Sequence, residues 1–324
     1  MKKVLHRLIY LLCLGVVAFG LTFACSPSRD QNARSPSPSA EPCRIVQHVR
    51  GESCIPLKPK RIVTLDFNSL AAVLALDIKP ISSWITTEIE AEFPYFEGKT
   101  NGVEIVRGSS GQINLEKLLL LHPDLIVVIS HPVFERVYQQ LSHIAPTIVL
   151  PWVETKGDWK HHLKETARVF EIKAIAGNVM EDYYHRVEQL KGLLSDLQSL
   201  PRVSFAYIAS GRLVIARQKS FAGGVLNDIG LLNPLFEDSG DIDLPISEEL
   251  LPAIDSDVLF IAPLRKDDNS VIERLQQKPL WSKLKAAQNN QVYVVDFSVW
   301  RGLNIFAAHG MLDDLEKYLV RQGE

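Results

Sequence analysis

The sequence predicts an α/β fold of two lobes, each on a mostly parallel central sheet, joined by one long connector helix. Three observations predict it. Short β-branched runs alternate with helix-like segments in the first half, the alternation stops over residues 156–200, and it resumes from residue 201 to the C-terminus. The 324 residues also exceed the usual size of one domain.

The N-terminal "MKKVLHRLIYLLCLGVVAFGLTFACS" has a basic head (Lys2, Lys3, Arg7), an apolar run from Leu8 to Ala24, and then Cys25. That is the layout of an export signal over 1–24, although a retained membrane anchor helix has a similar composition. Ala24-Cys25 resembles a bacterial lipoprotein cleavage site, with Thr22 where that pattern usually has Leu, and the resemblance implies lipidation of Cys25. Residues 25–42 are Ser/Pro-rich and nearly free of apolar side chains, which predicts a disordered tether. Cys43 and Cys54 flank a short Gly-containing segment and predict a disulfide-closed hairpin over 43–58, as expected in an oxidising compartment. The competing reading, half of a metal site, lacks a second Cys pair or a nearby Cys/His cluster.

Residues 59–155 form the first α/β lobe. "RIVTLD" leads into "NSLAAVLALD", "NLEKLLLLHPDLIVVIS" reads as a helix running into a buried strand, and "VFERVYQQLSHIA" precedes the strand "PTIVLPW". Over 156–200, Ile175, Val179, Tyr183, Val187, Leu190, Leu194 and Leu197 recur at steps of four or three, one face of a connector helix that Pro201 ends. Residues 201–324 form the second lobe, with strands in "RVSFAYIAS", "RLVIAR", "DVLFIAP" and "QVYVVD" and a final helix in "IFAAHGMLDDLEKYLVRQ".

Several chemistries lack their residues. A net charge of −3 and the absence of a basic stripe argue against a nucleic-acid binder. "EGKT" at 97–100 imitates the end of a phosphate-binding loop, but Phe93 stands where its first glycine belongs. There is no G-x-S-x-G, no G-x-G-x-x-G and no H-E-x-x-H, so no enzyme class and no catalytic residue is indicated. Of the nine histidines only His131, in "VVISHP", has an obvious strand-end position, too few for a bare metal ion.

Six segments in order, from "PKRIVTLD…LAAVLALDIKPIS" through "NLEKLLLLHPDLIVV", "QLSHIAPTIVL", "SFAGGVLNDIGLLNP" and "ISEELLPAIDSDVLFI" to "PLWSKLKAAQNNQVYVVDFSVW", resemble the periplasmic binding proteins of iron–siderophore uptake. That branch also includes cobalamin and haem binders. The resemblance implies a ligand cleft between the lobes, modest closure about a stiff connector, and no enzymatic activity. It also implies a ferric siderophore as ligand, and a monomer, exported and held at a membrane by a lipid anchor, that delivers cargo to an ABC permease.

Sites in such lobes lie outside the carboxyl ends of strands. Arg107, Arg217 and Arg301 have such positions, and guanidinium suits a chelate carrying several negative oxygens. Trp300 beside Arg301 is a candidate flat wall, with Trp84 and Tyr207 as further aromatics. The family docks on its permease through one acidic residue per lobe. Glu116 matches in the first lobe, and in the second Glu248 competes with Glu237 and Glu249. The alternatives are a haem binder using His131 or Tyr207 as axial ligand, a cobalamin binder, an exported enzyme on the same scaffold, or an adhesion or sensor module.

Overall fold

The computed structural model describes residues 42–86, 94–108, 113–195, 199–231, 243–265 and 268–320. The export signal, Cys25, the tether and Glu237 lie outside the described residues. The described chain opens on an antiparallel hairpin, β1 (Cys43–His48) and β2 (Gly51–Pro56), closed by the Cys43–Cys54 disulfide. Alternation along the strands turns Val46 and Ile55 inward, where they pack with Ile62, Leu125, Ile148 and Val169. The hairpin therefore shares the core of the first lobe.

That lobe continues through β3 (Ile62–Thr64), α1 (Phe67–Ala75), β4 (Ser82–Thr86), β5 (Glu104–Gly108) and α2 (Leu115–Leu120). It ends with β6 (Leu125–Ile129), α3 (Pro132–Glu135), α4 (Tyr138–Ile144) and β7 (Thr147–Leu150). The strands pair in parallel in the order β5-β4-β3-β6-β7. β6, "LIVVI", is buried at every position, as a central parallel strand covered on both faces must be. The chain leaves neighbours β3 and β6 toward opposite edges of the sheet, and at such a switch point a crevice opens.

Two helices join the lobes, α5 (Trp159–Val169) and α6 (Lys173–Ser195). The second spans about 35 Å at the usual rise per residue. Its buried stripe is Ala176, Met180, Tyr183, Val187, Leu190 and Leu194. In the first turns this lies one residue beyond the expected Ile175 and Val179, which are half-buried at the edge of the stripe. Leu197 falls outside the described residues.

The second lobe runs β8 (Val203–Ala209), β9 (Arg212–Ala216), α7 (Phe221–Ile229), β10 (Asp243–Ile246) and a 3-10 turn, Glu248–Ile254. There follow β11 (Val258–Pro263), α8 (Asn269–Gln276), α9 (Lys285–Gln288), β12 (Val292–Val294), α10 (Phe297–Trp300) and α11 (Ile305–Leu315). The sheet order is β10-β9-β8-β11-β12. β8, β11 and β12 are parallel, whereas β9 and β10 are antiparallel at one edge. The turn from β8 to β9 is Ser210-Gly211, both at positive φ (51° and 72°), the two-residue turn whose twist matches a hairpin.

Candidate functional site

β7 ends at Leu150 and the chain turns through residues 151–158 into α5. β9 ends at Ala216 and turns through residues 217–220 into α7. These turns and the segment after α10 enclose a cleft of about 700 Å³ between the lobes, within the range of ordinary small-ligand sites.

The first-lobe wall presents His131, Trp152, Lys156, Asp158 and Lys160. Its turn is closed by the Gly157 N–H on the Trp152 carbonyl (2.9 Å) and the Lys156 N–H on the Val153 carbonyl (3.1 Å). Ser130 Oγ anchors the turn to the end of β6, accepting from the N–H groups of Trp152 (2.9 Å) and Val153 (3.2 Å) and donating to Glu154. That hydroxyl is the main reason the Glu154 carboxyl sits below its usual range. Behind Trp152 the His162 ring stands edge-on at 5.2 Å, and burial pushes its pKa down to about 3, so it is a neutral support. Asp158 caps α5, its carboxylate accepting from the N–H groups of Lys160 (3.0 Å) and His161 (3.1 Å).

Lys160 belongs to a clasp. Its ammonium donates to Asp228 Oδ2 of α7 (2.5 Å) and to Tyr184 Oη (3.1 Å), while the Tyr183 hydroxyl donates to the same Asp228 oxygen (2.7 Å). Burial opposes the charge, but the bonds to Asp228 and Tyr184 outweigh it and raise the lysine pKa. The clasp ties α5 and α6 to a second-lobe helix.

The second-lobe wall presents Gln218, Lys219, Ser220, Phe221 and Arg301. Ser220 caps α7 with a neutral hydroxyl that accepts from the Gly223 N–H (3.0 Å). A Cβ on Gly223 would lie 2.1 Å from the Arg217 carbonyl oxygen, so the turn can close this tightly only on glycine. Arg301 Nη2 donates to Asp243 Oδ2 (2.5 Å), and its guanidinium lies 5.8 Å from the centre of the Tyr207 ring. Burial, then the Asp243 charge, raise the Tyr207 pKa against the opposing pull of Arg301. Lys156 and Lys219, by contrast, are exposed and form no ion pair among the described residues.

The three expected site aromatics are buried core residues instead. Trp300 is fully buried, stacked on Phe260 at 4.3 Å with its Nε1–H donating to Asp314 (2.8 Å), because α10 turns it back onto the sheet while Arg301 faces the cleft. Trp84 is buried on β4 and packed so closely against Gly108 that a Cβ there would lie 2.1 Å from its ring. Tyr207 is buried behind Arg301. Arg217 is half-buried just before the second wall, with its Nε shielded and unpaired among the described residues. Arg107 is exposed on the edge strand β5, apart from the described lining. Glu116 is exposed in the first turn of α2, and Glu248 opens the 3-10 turn of the second lobe.

The sequence reading missed Trp152, Lys156, Lys219 and Ser220. The strand-end rule applied to "PTIVLPW" points to Trp152, and a Ser before "FAGG" is a cap signal. Among the described residues no cluster of three or more His, Cys, Asp or Glu is placed to hold a metal ion, and no helix is long and apolar enough to cross a membrane.

Two α/β lobes, a connector made of helices, and a cleft walled by both lobes define a two-lobed binding protein. The periplasmic binding protein family matches residues 62–299, and the chain belongs to that family. It is 32% identical to the probable siderophore-binding lipoprotein YfiY of Bacillus subtilis (strain 168), over 99% of each chain. It is 27% identical to the Fe(3+)-citrate-binding protein YfmC of the same organism, over 93% of each. Staphylococcus aureus SirA complexed with staphyloferrin B superposes with a TM-score of 0.71 at 25% identity, covering 85% of this chain and 98% of that one.

Proposed function

We propose that this protein captures an anionic ferric siderophore, of carboxylate-bearing type, and delivers it to the permease of an ABC importer. The observation that carries the reading is the charge of the cleft. Among the described residues Lys156 and Lys219 give one ammonium without an ion pair on each lobe, and the N-terminus of α7 adds positive potential between them. Trp152 offers a flat aromatic face beside them. Relatives described as siderophore- and Fe(3+)-citrate-binding support the ligand class. The two paired cations, Lys160 and Arg301, carry their own counter-charges in Asp228 and Asp243, which favours a ligand of modest negative charge over a highly anionic tris-catecholate. We assign Cys25 as the lipid anchor and Glu116 with Glu248 as the permease-docking carboxylates. Such charges steer docking and fix its register more than they tighten it.

The test is a titration of the mature chain with ferric citrate, a ferric catecholate and a ferric hydroxamate, with haem and cobalamin as controls, following tryptophan fluorescence. Saturable quenching by the ferric carboxylate at submicromolar concentration is expected. A response to haem or cobalamin alone replaces the ligand class, and a flat response to all five overturns the reading.

A further inference from the structure

Seven described residues other than glycine have a left-handed backbone: Asp77, His122, Lys156, Glu171, Ser210, Asn290 and Leu303. Six have an ordinary cause. Asp77, His122, Glu171 and Asn290 each stand immediately past the C-cap of a helix, where this conformation ends the helix. Ser210 is in the β8–β9 hairpin turn, and Lys156 closes the turn after Trp152. Leu303 (φ 56°) is the exception. It lies two residues past the C-cap of α10, and among the described residues no backbone bond of its own closes that helix. A branched, apolar side chain gains nothing locally from such a backbone, so its neighbours must impose it.

The neighbours are in place on both sides. Asn304 Oδ1 accepts from the Ala307 N–H (3.0 Å), capping α11, while its Nδ2 donates to the Gly302 carbonyl (2.7 Å) and to Tyr95 Oη of the first lobe (3.3 Å). A Cβ on Gly302 would lie 2.3 Å from the Ser298 carbonyl oxygen and 2.4 Å from Ala307 Cβ, so the backbone before Leu303 is packed too closely for any side chain. The side chain held this way lines the cleft. It reaches the opposite wall: a Cβ on Gly157 would lie 3.8 Å from Leu303 Cδ2 and 3.5 Å from Trp152 Cζ2.

We propose that Leu303 is a specificity-determining strut, held in a left-handed backbone so that its isobutyl group spans the cleft to Trp152 and Gly157 and restricts the site to compact ferric chelates. The inference rests on the ferric-siderophore reading for the nature of the ligand, and on the backbone geometry alone for the strut. The short loop that carries Leu303 also carries Arg301, and both line the cleft. Bulky chelates, such as a ferric trihydroxamate with long linkers, meet the leucine before they reach the second-lobe wall.

The test compares the full mature chain with Leu303→Gly, which accepts the backbone without strain, and Leu303→Ala, which keeps the strain and shortens the side chain. Both variants should shift the ratio of Kd for ferric citrate to Kd for a bulky ferric trihydroxamate about tenfold toward the bulkier ligand, the scale of a few methylenes in a pocket. A ligand-free readout accompanies it. Of the five tryptophans, Trp152 is the one not buried, so its acrylamide quenching should rise in both variants. An unchanged ratio in proteins that bind ferric citrate overturns the strut while leaving the iron reading intact. If no ferric complex binds the parent protein, the iron reading falls, and the strut is judged on quenching: a constant equal to that of the parent overturns it.

Discussion

In the first lobe β7 runs into a turn that caps α5 with Asp158; in the second β9 runs into a turn that caps α7 with Ser220. Each turn also carries an exposed lysine, Lys156 or Lys219, so the two walls are assembled from the same parts. They differ in what meets the helix dipole. The carboxylate of Asp158 already answers the partial positive charge of α5, whereas the hydroxyl of Ser220 leaves about half a charge at α7 for whatever enters the cleft. Arg301 stands on that second side too, its charge already answered by Asp243. The second wall is therefore the anion-facing one, and the first supplies aromatic surface through Trp152 and, besides Lys160 with its Asp228 partner, one exposed lysine, Lys156.

Charge reversal breaks or sustains that comparison most directly. Lys219→Glu places a carboxylate beside the α7 N-terminus and should weaken ferric-carboxylate binding by about thirtyfold, in the range of a lost charge-assisted contact. Lys156→Glu, on the wall that already has Asp158, should cost about threefold. Calorimetric titration at one fixed ionic strength reads both. Equal losses would mean that the ligand sits symmetrically and the capping difference does not matter.

The two tryptophans sharpen the contrast in a different currency. Trp300→Ala removes a fully buried ring from its stack on Phe260 and leaves Asp314, whose pKa is already raised by burial, without its indole donor. It should lower unfolding stability in urea by about 3–5 kcal/mol. Trp152→Ala, at a half-buried position, should cost about 1–2 kcal/mol in the same assay, while removing most of the ligand-induced quenching and about tenfold in affinity. A Trp300 variant that stays stable but loses binding would reverse the assignment of the two rings.

That pair also marks how far the sequence can be read. The alternation of "RIVTLD", "DLIVVIS" and "PTIVLPW" with helical segments made the first lobe legible, because strands buried on both faces read as near-continuous apolar and β-branched runs. The hairpin was legible from Cys43 and Cys54. The antiparallel edge β9–β10 was not, since "RLVIAR" is as apolar as a parallel strand and only the Ser210-Gly211 turn distinguishes it. For the site, strand-end position found the loop holding Arg301 but not the direction of each side chain. α10 is a single turn, and within it one step separates Trp300, facing the sheet, from Arg301, facing the cleft. Nor does sequence reveal pairing: Arg301 with Asp243 and Lys160 with Asp228 are joined across 58 and 68 residues, so the lysines with no ion pair among the described residues became visible only when the paired cations were set aside.

The smallest expected effect isolates the cap itself. Asparagine caps a helix about as well as aspartate, so Asp158→Asn should leave the melting temperature within a degree or two of the parent. What it removes is the charge that answers the α5 dipole, and the first wall then matches the second. An anionic ferric complex should bind about threefold more tightly, the scale of one helix-end charge interaction, and the gain should shrink as salt is added. A gain that persists unchanged in high salt would point to a change in the shape of the turn. No gain at all would mean that the carboxylate is spent entirely on its own helix, leaving Lys219 and the α7 N-terminus as the source of the difference between the walls.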